Sequence, residues 1–426
     1  MTASSGPAAA HNAPARATEG AATYADRALL ALLVLAAFGL YWATSFLLLA
    51  RGGTTHFGAD TPLYAGLAGG DAVERITRFH PLTSALALTW MKLLAPLTAW
   101  IAPVHLLKAM FAAIGAAGVG AAAWGFAAIL PRRTALLWAA IYGVSLGVWY
   151  FSAIEESKIV SGSLASLYIA AYLHLRARWT LRGALILTAI LLVACLNEIV
   201  AGFLVLIPAA DTLLNRGLDL RHGYWIGLHA LAGPAALGFL EFVVSGRILP
   251  VETDPEAASH FSMLIYYLLD NDFRPATAYS FVVNWLFFNL AAPAREALYV
   301  WPHWPDNRAY FEPALLNYLR APASAALVIA ALAVAAAAVL PRWRGARNPA
   351  LAGLLPALLA YSLLRAVFFY LFNPFEPLLF SPSVTLAHLI AIAVPFSAST
   401  FPAKPWLLGA TAALLLVTNG LFMNGP

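Results

Sequence analysis

Between His56 and Pro81 the sequence reads HFGADTPLYAGLAGGDAVERITRFHP, which gathers Asp60, Asp71, Glu74, Arg75, Arg78 and His80 into one stretch. In so apolar a chain, a segment of this kind is either a solvated connector or a reaction centre at a membrane surface. Asp60 follows Gly58 and precedes Pro62 and Tyr64, a composition that favours a tight, ordered turn with the carboxylate projecting from it. A carboxylate held that way can take the proton of an acceptor hydroxyl as a general base; the plain alternative is a helix cap or a solvated aspartate. His80 stands directly before Pro81, where apolar sequence resumes. Its imidazole is a candidate for binding phosphate or acting as a second acid, with helix capping as the plain alternative.

Further candidates lie deeper in apolar sequence. Glu155, Glu156 and Lys158 fall together in FSAIEESKIVSG, either as a water-facing turn or as charges turned inward to a polar cavity, where intramembrane charges usually sit. Lys108 comes early in an apolar run, where an ammonium can hold a lipid phosphate. Arg365 interrupts the Tyr361 to Phe372 stretch too deeply to snorkel, and its expected partner is a phosphate or Glu376. A carboxylate base with several phosphate-facing cations suits transfer from a lipid phosphate, because the leaving phosphate must be neutralised as charge develops on it. Residue types and spacing alone do not choose that chemistry over a transporter.

These residues must be positioned by membrane helices. The chain has 426 residues, 62% hydrophobic and 11% charged, and several apolar runs approach the ~20 residues a helix needs to cross a bilayer. So few polar residues cannot cover that much apolar surface in water. The formal charge of +5 invites nucleic acid as a partner. However, the basic residues cluster between apolar runs, at Arg132-Arg133, Arg176 to Arg182, Arg216 to His222 and Arg342 to Arg347, the pattern of cytoplasmic loops rather than of a nucleic-acid face. Cys195 is the only cysteine and reads as a small buried hydrophobe, so no disulfide framework exists. No fixed-period repeat, glycine-rich phosphate loop or zinc spacing is present.

The basic clusters also constrain the topology. If Leu82 to Ala102 crossed the membrane, the later arginine clusters would fall outside; read as a juxtamembrane or re-entrant helix interrupted by Pro81, Pro96 and Pro103, it returns them to the cytoplasm. The fold class is therefore all-α, a polytopic bundle of about 11 spans with extracytoplasmic juxtamembrane helices. Residues 1–26 form a disordered cytoplasmic tail. Residues 27–245 form a transmembrane core with a first extracytoplasmic loop at 51–81 and the juxtamembrane helix at 82–103. Residues 246–320 form a long extracytoplasmic segment rich in Trp, Tyr and Phe, read as interfacial helices covering a site, and 321–426 the C-terminal transmembrane helices. Thr134–Ala153 is one span in this reading. Gly183–Leu196 with Ile199–Leu214 is a pair of short spans, with one long tilted helix as the competing description.

The order of motifs resembles the GT-C superfamily of membrane glycosyltransferases, particularly the bacterial protein O-mannosyltransferase-like and lipid A sugar transferase-like members. The matching residues are GAD at Gly58 to Asp60, FHPLTSAL from Phe79, HLLKAMFAAIGAAG around Lys108, the pair Arg132-Arg133, FSAIEESKIVSGSLASLYIAAYLHLR, LLVACLNEIVAGFLVLIP closing at Pro208, and FYLFNPFEPLLFSPSV. The resemblance implies a hexosyl- or pentosyltransferase of the bacterial inner membrane, facing the periplasm. It would use a polyprenyl-phosphate sugar as donor and a lipid, glycan or protein hydroxyl as acceptor. By that similarity Asp60 is the base, Lys108 and Arg365 are the candidates for the carrier phosphate, and Glu155 or Glu156 orients substrate; His80 and Lys158 stand beside them as further substrate-binding candidates. Lys108 stands where arginine is usual, which removes bidentate phosphate geometry, and Asp71 lies apart from Asp60 where an adjacent acidic pair is common. No soluble acceptor-binding domain is expected after the last span. Asp60, His80 and Glu155 have the donor types for a divalent metal, although none is assigned. The competing function is a transporter or flippase of lipid-linked sugars or small solutes.

Overall fold

The computed structural model describes residues 24–50, 61–69, 80–176, 180–216, 227–232, 235, 238–239, 275–293, 298–300, 309–311, 315–339, 353–374, 376–399 and 401–424. They are overwhelmingly helical. The helices relevant to the site are α1 (Tyr24–Ala50), α2 (Thr61–Ala68), α3 (Pro81–Leu93), α4 (Pro103–Ala127), α5 (Arg132–Val144), α6 (Leu146–Ala153), α7 (Lys158–Leu175), α8 (Leu181–Asn197) and α9 (Leu206–Arg216). They continue with α10 (Pro275–Val283), α11 (Pro322–Val339), α12 (Leu354–Phe372), α13 (Pro377–Phe380), α14 (Pro382–Ser397) and α15 (Lys404–Asn424). Among the described residues the one departure from helix is a three-residue antiparallel hairpin, β1 (Leu298–Val300) with β2 (Ala309–Phe311).

Among the described residues, α1, α4, α12 and α15 are long and apolar enough to cross a membrane, and α5 with α6 makes a fifth candidate as a bent pair. Several further apolar helices are shorter. Helix α3 runs 13 residues, about 20 Å at ~1.5 Å per residue, and gives way to a 3₁₀ turn at Ala95–Ala99. That is too short for a ~30 Å hydrocarbon core. Asp26 at the start of α1 pairs with Arg132 at the start of α5 at 3.1 Å, so both helices begin at the same end of the bundle. Only α1 and α4 between them have the length to run from one end to the other.

At the centre, α4 and α7 lie in close contact because small residues face each other. A Cβ added at Gly118 would lie 2.6 Å from Ser163 Oγ and one at Gly125 3.1 Å from Ala170 Cβ, and Ser163 Oγ donates to Ile114 O at 2.9 Å. The opposite face of α7 meets α14 just as closely, since a Cβ at Gly162 would stand 2.8 Å from Pro382 Cβ. Arg176 then fastens the far end of α7 to Asp211 on α9 through paired hydrogen bonds of 2.9 and 2.8 Å.

Thr134–Ala153, read as one span, is a bent one: α5 and α6 meet at Ser145 with a 57° bend. The N–H groups exposed by the break donate elsewhere, Leu146 to Leu290 O at 3.0 Å and Gly147 to Asn289 O at 2.8 Å. Asn419 of α15 closes the junction, donating to Val144 O at 2.7 Å and to Leu290 O at 3.0 Å. The segment holding these carbonyls belongs to residues 246–320, expected to lie at the interface as a cover. Trp285 and Phe288 of this segment are buried in the bundle, while Phe287 and Tyr279 are exposed. The chain also turns at Glu198 in an extended conformation, so α8 and the elements after it do not form one long helix.

Candidate functional site

The end of the bundle opposite Arg132 holds most of the buried charge. It begins on α4, where Lys108 is fully buried and its Nζ lies 2.8 Å from Glu155 Oε2. Glu155 and Glu156 occupy the extended link between α6 and α7, and Ser157 Oγ donates to Glu156 Oε1 at 3.1 Å. Lys158 opens α7, with its Nζ 3.6 Å from Glu198 Oε1 and 4.8 Å from the centroid of the Phe380 ring. The second oxygen of Glu198 accepts from Arg365 of α12 at 3.3 Å. The Arg365 guanidinium lies 5.0 Å from the Phe369 ring centroid and 6.0 Å from that of Tyr361, and its Nε has no hydrogen-bond partner. Ring faces in dry surroundings favour cations at such distances.

Asn197 holds the polar backbone of the site together. Its Oδ1 accepts from Thr83 of α3, and its Nδ2 donates to Ser161 Oγ at 2.8 Å and Ser157 O at 3.2 Å. Its carbonyl lies 2.8 Å from His80 Nδ1. A carbonyl only accepts, so His80 Nδ1 carries the proton and, in the neutral ring, Nε2 is the acceptor. One amide thus joins the starts of α3 and α7 to the end of α8.

Local helix electrostatics do not favour this arrangement. Lys158 puts a cation at the positive end of α7, and Glu198 puts an anion at the negative end of α8. Each offsets the other only because the fold brings the two ends together. Burial would raise the Glu198 carboxyl, but Lys158 and Arg365 outweigh it and hold the group down to about 2. Charges placed against the local field and then neutralised across long sequence separations are more characteristic of functional sites than of stabilising cores.

Of the residues singled out in the sequence, His80, Lys108, Glu155, Glu156, Lys158 and Arg365 are all buried: Lys158 and Arg365 meet at Glu198, Lys108 meets Glu155, and His80 meets the Asn197 carbonyl. Asp60 lies outside the described residues. Tyr64, on the helix that follows Asp60, packs edge-on against Phe111 of α4 at 5.8 Å, one turn from Lys108. Arg365 pairs with Glu198 and not with Glu376, whose Oε2 accepts from Asn373 Nδ2 at 2.6 Å. Lys108 likewise engages Glu155. Sequence reasoning missed Asn197 and Glu198 as site residues; the available signal was a polar pair interrupting LLVACLNEIVAG. No group of three or more His, Cys, Asp or Glu side chains is arranged to hold a metal among the described residues. No protein-family model matches the chain, and no curated protein matches its sequence.

Proposed function

We propose that this chain is a membrane glycosyltransferase of the GT-C kind, moving a sugar from a polyprenyl-phosphate carrier to a lipid, glycan or protein hydroxyl at the end of the bundle opposite Arg132. The observation that supports this is the convergence of Lys108, Lys158 and Arg365 with Glu155, Glu156 and Glu198, close to where α3 begins at His80. These three cations and three carboxylates balance, so a donor phosphate competes for cations already held in place. Arg365 brings an unpartnered Nε to that exchange. In this reading Asp60 takes the acceptor proton, and the carboxylates keep the cations extended in the absence of donor. The direct displacement needs one base and inverts the sugar carbon.

A transporter of lipid-linked sugars is the second reading, and the helix break at Ser145 is the observation in its favour, since interrupted helices line many transport sites. Against it, the amide groups freed at that break are already bonded to Asn289 and Leu290.

The test is a pair of measurements on purified protein in proteoliposomes containing polyprenyl-phosphate sugars: release of the free carrier phosphate, and movement of the intact donor across the bilayer. Transfer predicts carrier release that Asp60→Asn abolishes while donor still binds. Donor movement without carrier release, unaffected by Asp60→Asn, would reject the transferase in favour of transport.

A further inference from the structure

At the other end of the bundle, α5, α11, α12, α14 and α15 surround a cavity of about 430 Å³, within the range of small-molecule sites. Ile141, Phe287, Leu327, Val334, Leu355 and Leu408 are among its walls. The two hydroxyl-bearing residues on the lining are already committed, Tyr318 to Ala291 O at 2.7 Å and Thr411 to Leu407 O at 2.8 Å. The indole N–H of Trp138 has no hydrogen-bond partner but is itself shut off from the cavity, so its ring offers carbon. The occupant is therefore hydrocarbon. From Leu327 to Ala338 the lining follows α11 for about 16 Å at ~1.5 Å per residue, roughly one leaflet of a ~30 Å hydrocarbon core. Leu359 and Phe287 on the rim are 54% and 48% exposed, so the cavity opens on the apolar flank of the bundle.

Charge at one end of the cavity narrows the choice of lipid. Helices α5 and α15 run in the same direction, because Asn419 near the end of α15 bonds Val144 at the end of α5. Their first residues therefore lie at one end, next to the cavity wall formed by Trp138 and Leu408. Three cations sit there, of which Arg132 is paired with Asp26 at 3.1 Å. Arg133 is exposed, with no ion pair among the described residues, and Lys404 gives one of its three N–H groups to Ser397 O at 2.7 Å. Basic groups at the edge of an interhelical apolar pocket are the arrangement that holds anionic lipid headgroups.

We propose that this cavity binds one acyl chain of an anionic glycerophospholipid, with the phosphate held between Arg133 and Lys404. The site shares no residue with the ionic network around Glu198 and does not depend on the chemistry there. The full chain, reconstituted with phosphatidylglycerol or phosphatidylcholine bearing a photoactivatable group midway along one acyl chain, provides the test, with crosslinked peptides mapped by mass spectrometry. Crosslinks on α11 and α14 lining residues are expected, with phosphatidylglycerol preferred. Arg133→Gln and Lys404→Gln should each lower that preference about five-fold. Ala338→Phe, which fills the cavity, should remove the crosslinks while both cations remain; Ala391→Leu, also on the lining, replaces it if that variant does not fold. Equal labelling by the two lipids, labelling indifferent to the filled cavity, or crosslinks spread over the whole exterior would overturn the proposal.

Discussion

Glu198 is the residue on which the ionic network turns, since each of its oxygens faces a different cation. Removing one member of a buried ion pair strands the other, at a cost of about 3–5 kcal/mol, because the remaining charge cannot recover its hydration. Glu198→Ala strands two, so it should destabilise the protein by at least that amount, read as a drop in the midpoint of thermal unfolding in detergent. Lys108→Met alone should be comparably damaging through Glu155, whereas Lys108→Met with Glu155→Met should recover most of the loss, since replacing both ions by apolar side chains is often neutral. If the pair contributes only to folding, the double variant keeps carrier release; in the proposed function it folds and is inactive.

The same residue gives a pH prediction. The Glu198 carboxyl is held at about 2 in the folded protein and rises towards ~4.3 on unfolding. A depressed carboxylate contributes stability that is fully present above the unfolded value and is lost as pH falls towards the folded one. The unfolding midpoint of the native protein should therefore fall between pH 5 and pH 2 more steeply than that of Glu198→Gln. Parallel profiles would show that Glu198 is not held as an ion.

At the scale of elements, the site depends on how closely α7 can lie between α4 and α14. Gly162 meets the Pro382 ring and its backbone, neither of which can swing aside. Gly162→Ala should force α7 and α14 apart and cost about 1–3 kcal/mol, and because Lys158 stands at the start of α7, it should also perturb the pairing with Glu198. The bend at Ser145 is an independent element-level device. Asn419→Leu removes the side-chain partner of Val144 O and of the Ala292 amide, at about 1–3 kcal/mol for each buried group left unsatisfied, while Leu290 O keeps the Leu146 amide. Loss of cooperative unfolding in Asn419→Leu, with α-helix content retained by circular dichroism, is the expected observation.

The whole molecule predicts a sidedness. The Asp26–Arg132 contact joins the starts of α1 and α5, and α3 is too short to add a crossing between them. Cys195 is buried, so single cysteines can be introduced after Cys195→Ala without a competing reactive thiol. Arg133→Cys and Gly69→Cys should react with a membrane-impermeant maleimide from opposite sides of intact cells. Labelling from the same side would mean that α3 crosses and that the two-ended arrangement is wrong.

Composition and run length made the apolar helical character legible, because the hydrophobic effect depends on both, and runs such as Tyr24–Leu48 leave most of their apolar side chains outside the bundle. The sequence also exposed the candidate charges, since a Lys108 or an Arg365 in an apolar run costs too much to be accidental. Partnerships were beyond it. Arg365 and Glu198 are separated by more than a hundred residues, and nothing local to Arg365 distinguishes Glu198 from the nearer Glu376. The break at Ser145 was hidden for the same reason: its freed amides are satisfied by Asn289 and Leu290, in a segment whose aromatics read as interfacial. Coulombic pairing and hydrogen bonding act over a few ångströms of space without regard to chain distance, so which charges meet is decided only when glycine and serine faces let α4, α7 and α14 close together.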